Sequence, residues 1–203
     1  STLDRRKMDK SLQRKRRRGR SSWWFRNSQR LYKWKHNSKL VGRSDGLGHR
    51  HLLHMMNQNK LIKELILDEG YKHETYHDHL GFLTLGVGHL VLDTDPEIKQ
   101  PVGTAVSEER IEECLNNDIN IVCDELDRNM SWWQGLDGVR QRVLANMCFN
   151  LGYPRLSKFV KFIAAMQKGD WKTASEEMMD SKWATQVGSR AVRLQQMVIQ
   201  GEK

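Results

Sequence analysis

ILDEGYKHETYHDHLGFLTLGVGHL, residues 66–90, sets an acidic pair, a helix-stopping glycine, four histidines and a glycine-alternating segment side by side. Just upstream, NKLIKELILDEG places Ile62, Leu65 and Glu69 at i, i+3 and i+7, one face of a helix that Gly70 is expected to stop. From there to about Leu92 the alternation and turn residues predict β structure. In LTLGVGH, Leu83, Leu85 and Val87 fall on one face, and Thr84, Gly86 and Gly88 on the other. The first face reads as core. The second offers a hydroxyl beside two positions without side chains, suited to a bulky ligand approaching the backbone.

Two carboxylates stand out in this stretch. Glu69 sits on the apolar face at the negative end of its helix, where burial and the dipole both disfavour a charge, which suits a general acid. A solvated last-turn glutamate is the plainer alternative. Asp78, in HDHLGF, is a second carboxylate that could activate a water or stabilise a cationic sugar transition state. Taken alone it reads equally as a turn-forming Asx residue. A zinc site drawn from His73, His77, His79 and His89 matches no familiar ligand spacing, so no metal is expected. Neither GVGHL nor GHLVLDTDPE is a phosphate loop.

Beyond this stretch the chain reads as helical. AVSEERIEECLNNDINIVCDELD offers Ser107 as a cap and carries Ile111, Leu115, Ile119 and Val122 at helical spacing. LDGVRQRVLANMCFNLG predicts a further helix ending at Gly152, and residues 156–200 three or four short ones. Trp171, Trp183, Met147, Phe159 and Phe162 are expected in the core, and Trp132 and Trp133 in helix-end packing. The predicted class is α+β, mainly α: a small β hairpin region after one helix, then a helical bundle.

Charge divides the 203 residues sharply. Residues 1–50 hold 17 Lys/Arg against 3 Asp/Glu, a net of +14; residues 51–203 hold 17 against 22, a net of −5. The basic part includes RKRRRGR and then SSWWFRNSQRLYKWKH, with aromatics interleaved among cations and little aliphatic surface for a core. Residues 1–55 are therefore expected to form an arm that orders only on a partner, and residues 56–203 a folded domain. No apolar run reaches the roughly 18 residues of a membrane span, and the basic start lacks the apolar stretch of a secretory signal. Cys114, Cys123 and Cys148 fit neither a metal clip nor a disulfide framework and are expected as buried thiols.

Glu69, Asp78 and Thr84, at these intervals and followed by Gly86-Val87-Gly88-His89, resemble the Glu–Asp–Thr signature of the T4-type phage lysozymes, glycoside hydrolase family 24. The resemblance continues in order through SEERIEECLNNDI, LDGVRQRVLANMCFNLG and residues 158–194, covering about residues 60–200. It implies a two-lobed lysozyme-like fold with a helical C-terminal lobe and a muramidase. Such an enzyme cleaves the β-1,4 bond between N-acetylmuramic acid and N-acetylglucosamine in peptidoglycan, without cofactor.

Carried over residue by residue, Glu69 is implied as the general acid, with Asp78 and Thr84 holding water or stabilising the transition state from the opposite face. Gly88, Phe149 and Asn150 are implied in substrate binding. His89 and Asp118 are implied as a structural pair, Asn146 as a neighbour on the Phe149 helix, and Arg190 as the residue that approaches Glu69. Asn150 departs from the glutamine that some members carry.

For the arm, Trp and Tyr provide anchoring area and Arg paired charge, so docking on virion or assembly proteins is the reading adopted, ahead of nucleic acid or an anionic envelope. The expectation is a virion-associated enzyme, or one held in the host cytoplasm before release, that acts on the bacterial wall. A free endolysin, a catalytically silent structural member and a zinc-dependent wall amidase are the alternatives.

Overall fold

The computed structural model describes residues 56–79 and 81–202. The expected arm, residues 1–55, lies outside the described residues. Helix α1, Gln58–Glu69, opens with Asn57, whose side chain accepts from the Lys60 N–H, and closes at Gly70, whose N–H donates to the Ile66 carbonyl. Leu61 and Leu65 are its buried residues, and Glu69, partly exposed, continues their line at i+8. Ile62, expected on that line, is only partly buried, because a residue one position along is turned about 100° away.

Three short antiparallel strands follow in the order β1 (Lys72–His77), β2 (Leu83–Gly86) and β3 (His89–Leu90). Across β1 and β2, Tyr76 stands opposite Thr84 and His77 opposite Leu83, with an irregularity between Lys72 and Tyr76. In that interval β1 turns its hydrogen bonds outward: Thr75 N–H donates to the Thr104 carbonyl and Gly103 N–H to the Thr75 carbonyl.

The expectation that Gly86 and Gly88 share an open substrate face is corrected. β2 ends at Gly86, with φ of 57°, and a Cβ there would lie 2.6 Å from the Ile111 side chain. Gly86 is bare so that the next helix can close on the sheet. Gly88, in the following turn, meets Glu69 instead.

That next helix, α2 (Glu108–Asn129), is capped by Ser107 and buries Ile111, Leu115, Ile119 and Val122, the stripe read from the sequence. Along its length it touches β2 and β3, then α3 (Gly138–Leu151) and α4 (Tyr153–Leu156), so one helix joins the sheet region to the helical part. Four more helices follow: α5 (Val160–Lys168), α6 (Trp171–Met179), α7 (Lys182–Val187) and α8 (Ser189–Gln200).

α3 is buried on nearly every side, polar residues included. Each buried cation on it has a use. Arg142 holds Glu64 at 2.9 Å and the Met56 carbonyl at 3.3 Å, while Arg140 bonds Asp137 and the Val198 carbonyl. The N-terminal end of the central helix therefore holds both α1, through Arg142, and α8, through Arg140. The fold is mainly α with a small antiparallel sheet, as expected. The three cysteines are free and buried, and burial pushes the Cys123 thiol up to about 12, which keeps it protonated and inert. Among the described residues no helix is long and apolar enough to cross a membrane.

Candidate active site

Glu69 is the meeting point of α1, α3, α8 and the β2–β3 turn. Its side chain keeps 22% of its accessible surface. Oε1 receives Arg190 Nη1 at 2.6 Å, with Asn150 Nδ2 at a long 3.5 Å. On the other side, Oε2 lies 3.4 Å from where a Cβ of Gly88 would stand, and Gly88 has φ of 66°. A Cβ at position 88 would just touch the carboxyl group at ordinary contact distance, and the left-handed backbone there would strain any residue but glycine.

Arg190 is held as firmly as it holds. Its Nε donates to Asn146 Oδ1 at 2.9 Å, its Nη2 to the Asn146 carbonyl at 3.2 Å, and its Nε lies 3.3 Å from Asp68. Asp68, with 3% of its side chain accessible, also accepts both Arg193 nitrogens, at 2.8 and 2.6 Å, and Asn146 Nδ2 at 2.9 Å. The buried carboxylate is satisfied by a two-pronged guanidinium and an amide, the arrangement that offsets its desolvation. This cluster points one guanidinium nitrogen at Glu69.

Asp78 stands just past β1. Its Oδ1 accepts the Phe82 N–H at 2.9 Å, and its own N–H donates to the Phe82 carbonyl at 2.9 Å. The turn-forming role that the sequence left open is present in the structure. Thr84, on β2, is buried, and its hydroxyl donates to the Phe82 carbonyl at 3.0 Å. With its proton committed there, Thr84 Oγ1 is left as an acceptor.

Asn150 is oriented from behind. Trp183 Nε1 donates to Asn150 Oδ1 at 2.9 Å, which turns the amide nitrogen toward Glu69. Phe149 is 4% exposed and belongs to the hydrophobic core, so at most its edge meets the cleft.

Below the sheet, His89 Nδ1 lies 2.9 Å from Asp118 and Nε2 lies 3.3 Å from Asp95, all three buried. Burial alone would depress the imidazolium, but the Asp118 charge and the hydrogen bonds to Asp118 and Asp95 outweigh it and push the group up to about 11. Asp95 in turn accepts the Leu92 N–H at 2.7 Å and Arg110 Nη2 at 3.1 Å. Both ring nitrogens face carboxylates, which leaves neither for a metal.

The structure thus brings Glu69, Gly88, Asn146, Asn150 and Arg190 to one place, and His89 and Asp118 to another. Sequence reading missed Asp68, Arg193, Asp95 and Trp183. Asp68 is half of the acidic pair noticed at once, and Arg190 and Arg193 share one helix face at i and i+3; nothing local said that the two pairs meet. Trp183 was expected as core, which it is, but its indole N–H also has a polar destination.

Comparison with known proteins identifies the family. The Phage lysozyme family model matches residues 67–198. The pre-baseplate central spike protein Gp5 of Enterobacteria phage T4 is 27% identical over 164 residues, covering 71% of this chain. The chain spans only 28% of the length of Gp5. Probable T4-type lysozyme 2 of Dictyostelium discoideum is 29% identical over 153 residues, covering 66% of this chain and 90% of that protein. Probable T4-type lysozyme 1 of the same organism is 26% identical over a similar span. With most of the folded part matched in one continuous stretch that includes Glu69, Asp78, Thr84 and Arg190, this chain belongs to the phage lysozyme family.

Proposed function

We propose that the protein is a muramidase that hydrolyses the β-1,4 bond between N-acetylmuramic acid and N-acetylglucosamine in peptidoglycan. The observation that carries the reading is Glu69, with one carboxyl oxygen gripped by Arg190 and the other facing a residue without a side chain. On this reading the proton leaves from Oε2 to the glycosidic oxygen as the bond to the anomeric carbon breaks. The negative charge that develops on Glu69 then finds Arg190 already in place, so no reorganisation is needed.

A water on the opposite face of the sugar supplies the new bond. It donates one hydrogen to Thr84 Oγ1 and the other to the Asp78 carboxylate, which aims its lone pair at the anomeric carbon. Its proton passes to Asp78 as the carbon–oxygen bond forms. Phe149 and Asn150 are assigned to the sugar cleft, and Asn146 to holding Arg190.

Mass analysis of muropeptides from purified sacculi tests the reaction, with EDTA present in a parallel digest. Expected are N-acetylmuramic acid reducing ends in equal yield with and without EDTA. Anhydro ends would identify a transglycosylase, and released stem peptides with EDTA sensitivity a zinc amidase; either product sinks the muramidase reading.

Action from the virion is the second part of the proposal, supported by the likeness to a protein named for the phage central spike. Residues 1–55 are assigned to docking on virion or assembly proteins, on their net positive charge and interleaved aromatics. The folded unit must include Met56, which is buried and whose carbonyl accepts Arg142. A chain starting at His54 is expected to fold, cleave purified peptidoglycan at the full-length rate and be missing from assembled particles. Normal incorporation without the arm would refute docking.

A further inference from the structure

Asp68 and Glu69 are adjacent carboxylates at the end of α1, and two guanidiniums of α8, Arg190 and Arg193, meet them. The short bonds are divided one cation to each anion. Arg193 gives Nη1 and Nη2 to the two oxygens of Asp68, at 2.8 and 2.6 Å, and Arg190 gives Nη1 to Glu69 Oε1 at 2.6 Å. Arg190 Nε also lies 3.3 Å from Asp68, but the one hydrogen on that nitrogen goes to Asn146 Oδ1 at 2.9 Å. Asp68 therefore attracts Arg190 without taking its hydrogen bond.

Arg193 is committed to Asp68. Its remaining nitrogen, Nε, is buried without a hydrogen-bond partner among the described residues. An unpaired buried N–H costs stability, so the two-pronged fit on Asp68 is what holds the side chain in place. Arg193 keeps 28% of its side chain accessible and Asp68 only 3%, so the arginine brings its charge from the surface to a carboxylate nearly sealed from water. Without that charge Asp68 is a buried anion, and the cation left beside it is Arg190. One guanidinium would then face two adjacent carboxylates, and its turning toward Asp68 would lengthen the bond to Glu69.

We propose that Arg193 is a positioning residue of the glycosidase reaction: by satisfying Asp68 it leaves Arg190 to Glu69, where that charge stabilises the carboxylate formed as the proton passes to the leaving sugar. This inference rests on the muramidase reading and on Glu69 as its acid. Arg193 makes no bond to Glu69 itself and acts through the neighbour it keeps occupied.

Arg193→Met removes the cation and keeps most of the side-chain length. Expected is a fall in kcat of about tenfold per folded molecule, as for weakening a hydrogen bond to a charge, with KM within about twofold because Phe149 and Asn150 are unaltered. Arg190 drawn onto Asp68 offsets part of the stranded charge, so the loss shows more in rate than in melting temperature. Arg193→Lys, which returns the charge without the fork, is expected to hold kcat within about threefold of the parent.

The decisive variant combines Asp68→Asn with Arg193→Met. The new amide oxygen can still accept Asn146 Nδ2 while the amide nitrogen turns to the side Arg193 has left. With no anion at position 68, Arg190 has only Glu69 to pair with, and kcat is expected to return to within about threefold of the parent. Loss of packing alone predicts the reverse, a double variant worse than either change by itself.

A double variant as slow as Arg193→Met, or one that cannot fold, overturns the proposal, since Arg193 then does more than neutralise Asp68. So does Arg193→Met with the parent's kcat, or a loss confined to KM. Arg193→Gln takes the place of Arg193→Met if the latter does not fold; if neither neutral variant folds, Arg193 belongs to the fold and not to the reaction, and the proposal fails. Glu69→Gln run alongside separates the two levels. Activity in that variant discards the muramidase mechanism itself, whereas an inactive Glu69→Gln with an unaffected Arg193→Met discards only the role of Arg193.

Discussion

Glu69→Gln is expected to abolish wall clearing while the protein stays folded. The amide is the same size, and its oxygen still accepts Arg190 Nη1 where Oε1 accepts it now at 2.6 Å, so the Asp68–Asn146–Arg190 cluster keeps its geometry. The proton is what is lost. General acid catalysis contributes about 10²–10⁴-fold to rate, so turbidity clearing should fall by at least that factor, with a circular dichroism spectrum and a melting temperature close to those of the parent. Asn150 and Trp183 stay bonded to each other in the variant, so substrate affinity should change little. Clearing at near the parent rate would remove Glu69 from the mechanism and with it the assignment of Oε2 as the proton's point of departure.

The parts of this site that were legible in the sequence are those made by neighbours along the chain. The Gly70 stop behind Glu69 and the Ser107 cap follow from local capping chemistry, and the Ile111–Val122 stripe from a period of 3.6 residues. The structure has both caps and that stripe where the sequence placed them.

α3 carries no such signal. A helix buried all round has no polar face to contrast with an apolar one, so the partners of Arg140, Arg142 and Asn146 are invisible until α1 and α8 arrive. Asn146 and Arg190 entered the expected site through resemblance to a family, not through periodicity. Gly86 and Gly88 differ for a related reason. Both lack a side chain, but one does so for Ile111 and the other for Glu69, and only the packed structure tells them apart. Trp183 shows the reverse case, an aromatic correctly placed in the core whose one polar atom decides which way Asn150 faces.

His89→Asn should cost more stability than any other single change discussed above, and its cost should depend on pH. The ring stands between Asp118 and Asp95, both buried, and is charged at neutral pH because its proton affinity is pushed up to about 11. Asparagine cannot carry that charge. The two buried carboxylates would lose the cation between them, and breaking a buried pair by removing one partner costs about 3–5 kcal/mol. For a domain of this size that is a fall of roughly 6–20 °C in melting temperature. Arg110, which bonds Asp95 from the far side at 3.1 Å, limits the loss but has no contact that replaces Nδ1 on Asp118.

The pH dependence follows from the direction of the shift. A group whose folded-state affinity is raised stabilises the fold fully below its unfolded value, about 6.5, and loses that contribution as pH rises through its folded value. The stability gap between parent and variant should therefore be largest near pH 6, narrow steadily through pH 8 and 10, and nearly close by about pH 11. Urea unfolding of both proteins at those pH values measures it, with wall clearing assayed on the folded fraction. Muramidase activity per folded molecule should be close to the parent's. A gap that stays constant with pH would mean that the ring is neutral in the folded protein. An unaltered stability with lost activity would make His89 a participant in the chemistry, and the Asp118–His89–Asp95 chain would then have to be read as part of the active site.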